Sequence, residues 1–152
     1  MATYEEARLY WTDFAIRRSV TDAELAAAVA EVFGVPVAAV KLAALTSDML
    51  EFGLPAPDVA VRRSPVGGDF ALWVELMPMR ERPQDGLPRL ARLARALRSD
   101  CLAPGYSVEE GWLLVHEDGT VESVEVDDFA IDDGKYIIVE SEPPSSEVDE
   151  EM

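Results

Sequence analysis

The chain contains one histidine, His116, and one cysteine, Cys101, so few side chains could act as nucleophiles or as soft metal ligands. A single imidazole excludes the paired histidines of a His-x-x-x-His zinc site and any mechanism that needs two of them. A Ser-His-Asp triad would have to use His116, but the chain has no Gly-x-Ser-x-Gly motif. Because His116 follows a predicted strand beside an Asp-Gly turn, we interpret it as a partly exposed structural residue.

Cys101 follows a predicted helix over residues 87–100 and lies next to Asp100. A reactive thiolate needs a nearby base or a helix N-terminus, whereas the negative end of a helix dipole disfavours it. We therefore expect Cys101 to be a small core residue. As the only cysteine, it cannot form a disulfide within the chain.

The acidic segment over residues 127–134, DDFAIDDG, has the superficial look of a calcium-binding loop. An EF-hand places acidic ligands at positions 1, 3 and 5 before a glycine at position 6. With Gly134 as that glycine, these positions fall on Phe129, Ile131 and Asp133, so two ligands are apolar and the motif fails. Weak, nonspecific binding of divalent ions is the alternative. The glycine-rich phosphate-binding motifs are also absent, so we expect no metal site and no cofactor.

The charge of the chain is unusual, because 30 Asp and Glu against 13 Lys and Arg give a net charge of −17. Residues 101–152 contain 16 acidic side chains and only 1 basic one, whereas residues 1–100 contain 14 and 12. Such a surface repels phosphate backbones and anionic lipid headgroups, which argues against direct binding of nucleic acid or of a membrane. It favours a basic protein partner. The alternative is that the acidity only keeps the protein in solution.

The start of the chain lacks the basic residues and apolar run of a secretory signal, and no segment provides the roughly 20 apolar residues that span a bilayer. With a single cysteine, these features favour the cytoplasm. Arg outnumbers Lys by 11 to 2, a composition typical of GC-rich bacterial genomes.

Two segments predict helices. Thr21 and Glu24 form a capping box for the first, and Gly34 ends it. Its apolar stripe comprises Leu25, Val29, Val32 and Phe33. The second covers residues 87–100, with an apolar face made of Leu90, Leu93, Ala94 and Leu97.

The other patterned segments predict strands, although residues 4–16 could equally form a helix. They are residues 8–16, 41–45, 58–63, 69–77, 112–116, 120–126 and 136–139. Hairpin turns are predicted at residues 64–68 and at Asp118-Gly119. Since hairpins dominate, we predict an α+β fold: a mainly antiparallel sheet with two helices packed on one face, as a ferredoxin-like βαββαβ core plus a C-terminal β meander. One domain over residues 1–140 and a flexible acidic tail over 141–152 are expected.

The one basic feature lies over residues 80–98, where six arginines and two acidic residues give a net charge of +4. Four of these arginines lie around the polar side of the second helix: Arg89, Arg92, Arg95 and Arg98. They could hold an anion or an acidic partner. The interpretation we favour is a solvated helix face that the acidic last third of the same chain partly neutralises.

Three hypotheses for function remain open. The first is a non-enzymatic, acidic protein-binding module that occludes a basic partner, in the way that bacterial immunity proteins neutralise a cognate toxin. The second is a structural or regulatory domain, such as an adaptor or a chaperone, that associates with itself, for example as a homodimer. In this hypothesis the acidity serves only solubility. The third is an enzyme that uses carboxylates alone, which requires a pocket and a carboxylate with a raised pKa. We favour the first and expect no enzymatic activity.

The candidate partner-binding residues come from the acidic last third of the chain. Long-range electrostatic steering is expected from Glu122, Glu125, Asp127, Asp128, Asp132 and Asp133. Apolar anchors are expected at Trp112, Phe129 and Tyr136.

Overall fold

The computed structural model describes residues 13–44, 57–78, 86–104 and 111–139. The helices are α1 (Asp22–Phe33), α2 (Gly86–Leu97) and α3 (Asp128–Ile131), with a short 3₁₀ helix at Val37–Ala39. The strands are β1 (Asp13–Ile16), β2 (Val40–Ala44), β3 (Val59–Pro65), β4 (Gly67–Gly68), β5 (Leu72–Pro78), β6 (Cys101–Pro104), β7 (Trp112–Val115), β8 (Val121–Val124) and β9 (Lys135–Tyr136). The predicted tail over 141–152 lies outside the described residues.

Seven strands form one sheet in the order β2-β3-β5-β1-β6-β7-β8. Every neighbouring pair is antiparallel except β2 and β3, which run parallel. The prediction of an α+β fold with a mainly antiparallel sheet is therefore confirmed. The ferredoxin-like detail stays a prediction, because β2 and the β7–β8 hairpin extend the sheet on both sides. The end of the predicted meander also differs, since β9 leaves this sheet and pairs in parallel with β4.

Helix α1 begins and ends where its local signals predict. The Thr21 hydroxyl accepts a hydrogen bond from the Glu24 amide at 3.0 Å, and the Glu24 carboxylate accepts one from the Thr21 amide at 2.8 Å. These two bonds satisfy backbone donors that the first turn would otherwise leave unpaired. Gly34 then takes the left-handed conformation, with φ of 68°, and ends the helix.

Helix α2 is shorter than predicted, because it ends at Leu97 and not at residue 100. Arg98 adopts a positive φ of 55°, and the chain turns directly into β6. The Arg18 guanidinium donates to the Leu97 carbonyl through Nε at 3.2 Å and Nη2 at 2.8 Å. A cation interacts favourably with the negative end of the helix dipole, so Arg18 stabilises the C-terminus of α2.

Both long helices pack on one face of the sheet, as predicted. The buried side chains at this interface include Phe14, Ile16, Leu25, Val29, Leu93 and Leu97. Cys101 belongs to the same core, completely buried in β6, and the expectation of a core cysteine is confirmed. Burial, together with the neighbouring Asp100 carboxylate, raises the pKa of its thiol well above the ordinary value, so the thiolate is not available.

The opposite face of the sheet is covered by residues 125–139, which we call the strap. Val126, Ile131, Tyr136 and Ile138 of the strap pack with buried residues from β1, β6, β7 and β8. The ring of Tyr136 stacks on Trp73, with centroids 5.2 Å apart, and meets the edge of Trp112 at 6.1 Å. Pairing of β9 with β4 adds to these contacts, and an isolated antiparallel bridge between Val126 and Ile138 joins the two ends of the strap to each other. The sheet therefore has an apolar covering on each side.

Gly68 determines how closely the strap approaches the sheet. Its φ is +83°, and a side-chain carbon there would lie 2.7 Å from the Tyr136 carbonyl oxygen and 2.8 Å from Cγ1 of Ile137. Such distances are far inside van der Waals contact, so only glycine fits between β4 and β9.

We predict that Gly68→Ala destabilises the protein more than Gly119→Ala does. Gly119 also has a positive φ, of +96°, but nothing lies within 4 Å of a side-chain carbon there. The control should therefore lose only the conformational strain, roughly 1–2 kcal/mol. Gly68→Ala should lose about 1–3 kcal/mol more through overpacking. Urea unfolding followed by tryptophan fluorescence measures both, and equal losses would contradict the close approach.

Candidate functional site

The strap presents the short helix α3 on the outside of the molecule. Asp127 caps it, since its carboxylate accepts hydrogen bonds from the amides of Phe129 at 3.0 Å and Ala130 at 3.2 Å. Ala130 and Ile131 turn towards the sheet, where Ala130 is buried. This cap and this packing leave Asp128 and Phe129 on the outer side.

Phe129 is the most exposed large apolar residue of the described part of the chain, with 86% of its surface accessible. A single exposed phenylalanine is common on protein surfaces, but its surroundings are distinctive here. The strap also carries four exposed carboxylates, and within the described residues none has a side-chain hydrogen bond or ion pair. They are Glu125, Asp128, Asp132 and Asp133. Together with Phe129 they form what we call the acidic strap surface.

The strap as a whole has a strong local charge. The strap contains five carboxylates and a single lysine, Lys135, and four of these carboxylates have no side-chain partner in the described residues. The strap therefore attracts cationic surfaces at long range.

Trp112 and Tyr136, predicted as anchors, are placed differently from Phe129. Both are half-buried and belong to the aromatic cluster with Trp73 that holds the strap to the sheet. Burial also raises the pKa of the Tyr136 hydroxyl. The structure therefore brings Phe129 together with the acidic residues of the strap and gives Trp112 and Tyr136 a visible structural role.

Glu122, predicted as a steering residue, is occupied by a contact within the chain. Its Oε2 lies 2.7 Å from Nε2 of His116, and Nδ1 of His116 lies 3.3 Å from Oδ2 of Asp100. The same Asp100 oxygen accepts a hydrogen bond from Arg17 at 3.0 Å. His116 thus links β8 to the start of β6. The hairpin turn at Asp118-Gly119 is the sequence signal that could have placed Glu122 near His116.

The protonated form of His116 is favoured by this arrangement. The hydrogen bond to Glu122, assisted by the charges of Asp100 and Glu122, raises the pKa of the imidazole above its ordinary value, while partial burial acts against it. A histidine whose pKa is raised by folding stabilises the fold fully below its unfolded pKa, and this stabilisation is lost as the pH rises through the folded pKa.

We predict that the free energy of unfolding falls between about pH 6 and about pH 9 by more in the wild type than in His116→Gln. The carboxylates stay ionised throughout this range, so the difference between the two proteins isolates the imidazole. Urea titrations at several pH values measure it, and Glu122→Gln should show an intermediate slope. Identical pH dependence in wild type and His116→Gln would contradict the link.

The arginines of α2 do not face the acidic strap. Helix α2 packs on one face of the sheet and the strap lies on the other. The strap therefore does not neutralise these arginines, and the interpretation that the acidic last third does so stays a prediction. Arg95 and Arg98 are exposed and, within those residues, have no hydrogen bond or ion pair through their side chains. Arg89 instead stacks on Phe33, with its guanidinium 4.5 Å from the ring centre.

Two shallow depressions lie on the outer side of the helical layer. The larger, of about 260 Å³, is lined by residues that include Arg18, Glu24, Ala28 and Arg98. The smaller, of about 200 Å³, is lined by Glu31, Val32, Arg92, Arg95 and Ala96. Glu31 and Ala96 line both depressions, so the two form one groove between α1 and α2.

Three carboxylates of the described ranges have a lowered pKa. Hydrogen bonds lower the pKa of Asp22 through Arg63, of Glu24 through Thr21 and of Asp118 through Thr120. A general acid requires the opposite shift. Within those ranges no group of three His, Cys, Asp or Glu side chains could hold a metal ion, and no helix is long and apolar enough to cross a membrane.

Comparisons with protein-family models, with curated proteins and with solved structures give no match.

Proposed function

We propose that the protein is a non-enzymatic, acidic protein-binding module that covers a basic surface of a partner protein with its acidic strap surface. The observation that carries this proposal is the exposed Phe129, 86% accessible, held by a capped helix among carboxylates that have no partner in the described residues. An anchor surrounded by charge is the arrangement expected of a surface that binds a cationic partner.

The apolar and charged components of this surface have different roles. Exposed ion pairs contribute only about 0–1 kcal/mol each, so the carboxylates add little to affinity on their own. They accelerate encounter with a basic surface instead. Burial of the Phe129 ring in a partner pocket contributes about 1.5–3 kcal/mol, and this term slows dissociation.

The surface is also preorganised. The strap is tied to the sheet by the stack of Tyr136 on Trp73 and by the hydrogen bond from the Ile138 amide to the Asp69 carboxylate at 2.9 Å. Side chains on an anchored element lose less conformational entropy on binding than those of a free segment. The strap therefore offers Phe129 in a defined position before the partner arrives.

Occlusion is the mechanism that this surface supports. A partner that binds an anionic substrate presents cationic side chains, and the acidic strap surface would cover them in place of the substrate. We propose that the partner is a basic protein in the bacterial cytoplasm, of the class that includes toxins held inactive by immunity proteins.

The proposal is tested with immobilised full-length protein as bait in a lysate of its source organism, washed first at low and then at high salt. A basic protein retained in stoichiometric amount and released by salt supports the proposal and supplies a purified partner for kinetics. Retention that is indifferent to about 0.5 M salt, where screening is strong, would contradict electrostatic steering. Recovery of the bait alone would count against a basic partner.

We predict that Asp132→Asn/Asp133→Asn slows association with that partner by roughly tenfold and leaves dissociation nearly unchanged. The charges removed lie on the acidic strap surface, whereas a control, Glu117→Gln/Asp118→Asn, removes the same net charge outside the strap and outside the groove between α1 and α2. Stopped-flow or biosensor kinetics at low salt compare the two variants. If the strap variant and the control variant slow association equally, the rate depends only on the net charge of the protein, which would contradict the prediction.

We predict that Phe129→Ala accelerates dissociation of the complex by roughly 10- to 100-fold, which corresponds to the apolar term of about 1.5–3 kcal/mol. Because the ring is exposed, the free energy of unfolding should stay within about 0.5 kcal/mol of the wild type. Val37→Ala is the matched control, since Val37 is also exposed, at 54%, but lies outside the surface. Unchanged dissociation in Phe129→Ala would remove Phe129 as the anchor.

A further inference from the structure

The groove between α1 and α2 is a second surface that carries charged side chains. Its lining includes the small side chains of Ala27, Ala28 and Ala96, together with Leu97. The α2 side of the groove carries Arg92, Arg95 and Arg98, and the α1 side carries Glu24 and Glu31. We call these residues the helix groove.

Arg95 and Arg98 are the arginines of the helix groove that have no side-chain partner in the described residues. Glu24 lies 3.6 Å from Arg18, whose guanidinium also donates to the Leu97 carbonyl, so these two side chains satisfy each other within the fold. Arg95 and Arg98 are exposed and have no such partner in the described residues, and Glu31 is the one unpaired carboxylate that opposes them. Guanidinium groups in this state match carboxylates with two parallel hydrogen bonds.

The acidic strap surface carries negative charges and an aromatic ring that complement the arginines and the apolar lining of the helix groove. It presents an exposed phenyl ring beside Asp128, Asp132 and Asp133, which have no partner in the described residues. The two depressions, of about 260 and 200 Å³, have alanine side chains among the residues that line them.

From this complementarity we infer that the helix groove of one copy binds the acidic strap surface of a second copy. The inference rests on the proposed function in one respect, because both use the acidic strap surface for protein binding. It adds that the chain carries its own basic acceptor for that surface. A basic partner would then compete with the second copy, and the assembly would keep the surface covered until the partner is present.

The position of the two surfaces determines the form of the assembly. The helix groove lies on one side of the sheet and the strap on the other, so the contact joins unlike surfaces head to tail. A head-to-tail assembly leaves an unoccupied helix groove at one end and an unoccupied acidic strap surface at the other. It therefore grows by adding copies instead of closing as a twofold dimer. The net charge of −17 opposes growth at long range, but at physiological ionic strength screening confines this repulsion to about 8 Å. We therefore expect weak, concentration-dependent association.

Sedimentation velocity of the full chain over a concentration series, at about 0.15 M and about 1 M salt, tests the inference. The weight-average mass of the wild type should rise above 16.7 kDa with concentration at the lower salt. Asp132→Asn/Asp133→Asn and Arg95→Gln/Arg98→Asn should each remain monomeric. Asn is chosen at position 98 because it tolerates the positive φ of 55° there.

The decisive sample is an equimolar mixture of the two variants. Each retains one intact surface, so the mixture should form a single contact and give a 1:1 species of twice the monomer mass that does not grow. A wild type that is monomeric at every concentration would overturn the inference, as would association that survives both substitutions. Far-UV circular dichroism verifies that the variants fold, and Phe129→Ala, which changes no charge, should weaken association in the same assay.

Self-association and binding of a basic partner can be tested independently of each other. The Arg95→Gln/Arg98→Asn variant keeps its acidic strap surface and should bind the basic partner captured by the bait at least as fast as the wild type does. Self-association without a basic partner supports the inference alone, and partner binding without self-association supports the proposed function alone.

Discussion

Strands β1 and β6 lie at the centre of the sheet and have to be covered on both sides. Ile16 and Cys101 point to the helices, whereas Ala15 and Leu102 point to the strap, and all four are completely buried. The two long helices satisfy one side. On the other side, within the described residues, the covering comes from the segment after β8 together with Val66 and Phe70, and the stack of Tyr136 on Trp73 holds the segment after β8 against the sheet. The position of α3 follows from this requirement.

The same requirement separates the charges of the molecule. Because the strap is acidic and occupies the face away from α2, the sheet separates the carboxylates of the strap from the arginines of α2. The described part of this chain, whose net charge is −17, thus has an acidic strap on one side and the arginines of α2 on the other. The distribution of charge over the surface, more than the net charge, determines which surfaces of other proteins this protein can bind.

Local signals account for the elements that were predicted well. The capping box at Thr21 and the stop at Gly34 act within a few residues, and so does the Asp118-Gly119 turn between β7 and β8. Helix α3 was missed because four residues show no periodicity, although Asp127 is a recognisable N-cap residue. Strand β6 depends on pairing with β1, more than eighty residues earlier in the chain, and no local pattern reports such a pairing.

The candidate site, too, could be predicted from the sequence only in part. Residue type alone made Trp112, Phe129 and Tyr136 equivalent as anchors, but only the tertiary structure shows that Trp73 engages Tyr136 and leaves Phe129 exposed. The charge asymmetry was readable from composition, whereas the face on which each charge lies was not. Placement relative to the sheet required the non-local contacts of the strap.

Carboxyl footprinting of the partner complex tests the central claim most directly. Carbodiimide labelling, read residue by residue by mass spectrometry, compares the free protein with its complex with the salt-eluted basic protein. The Arg95→Gln/Arg98→Asn variant serves here, so that self-association cannot protect the surface. The account predicts that Asp128, Asp132 and Asp133 lose reactivity while Glu31 on α1 keeps it. Protection of Glu31 with no change at the three aspartates would contradict it.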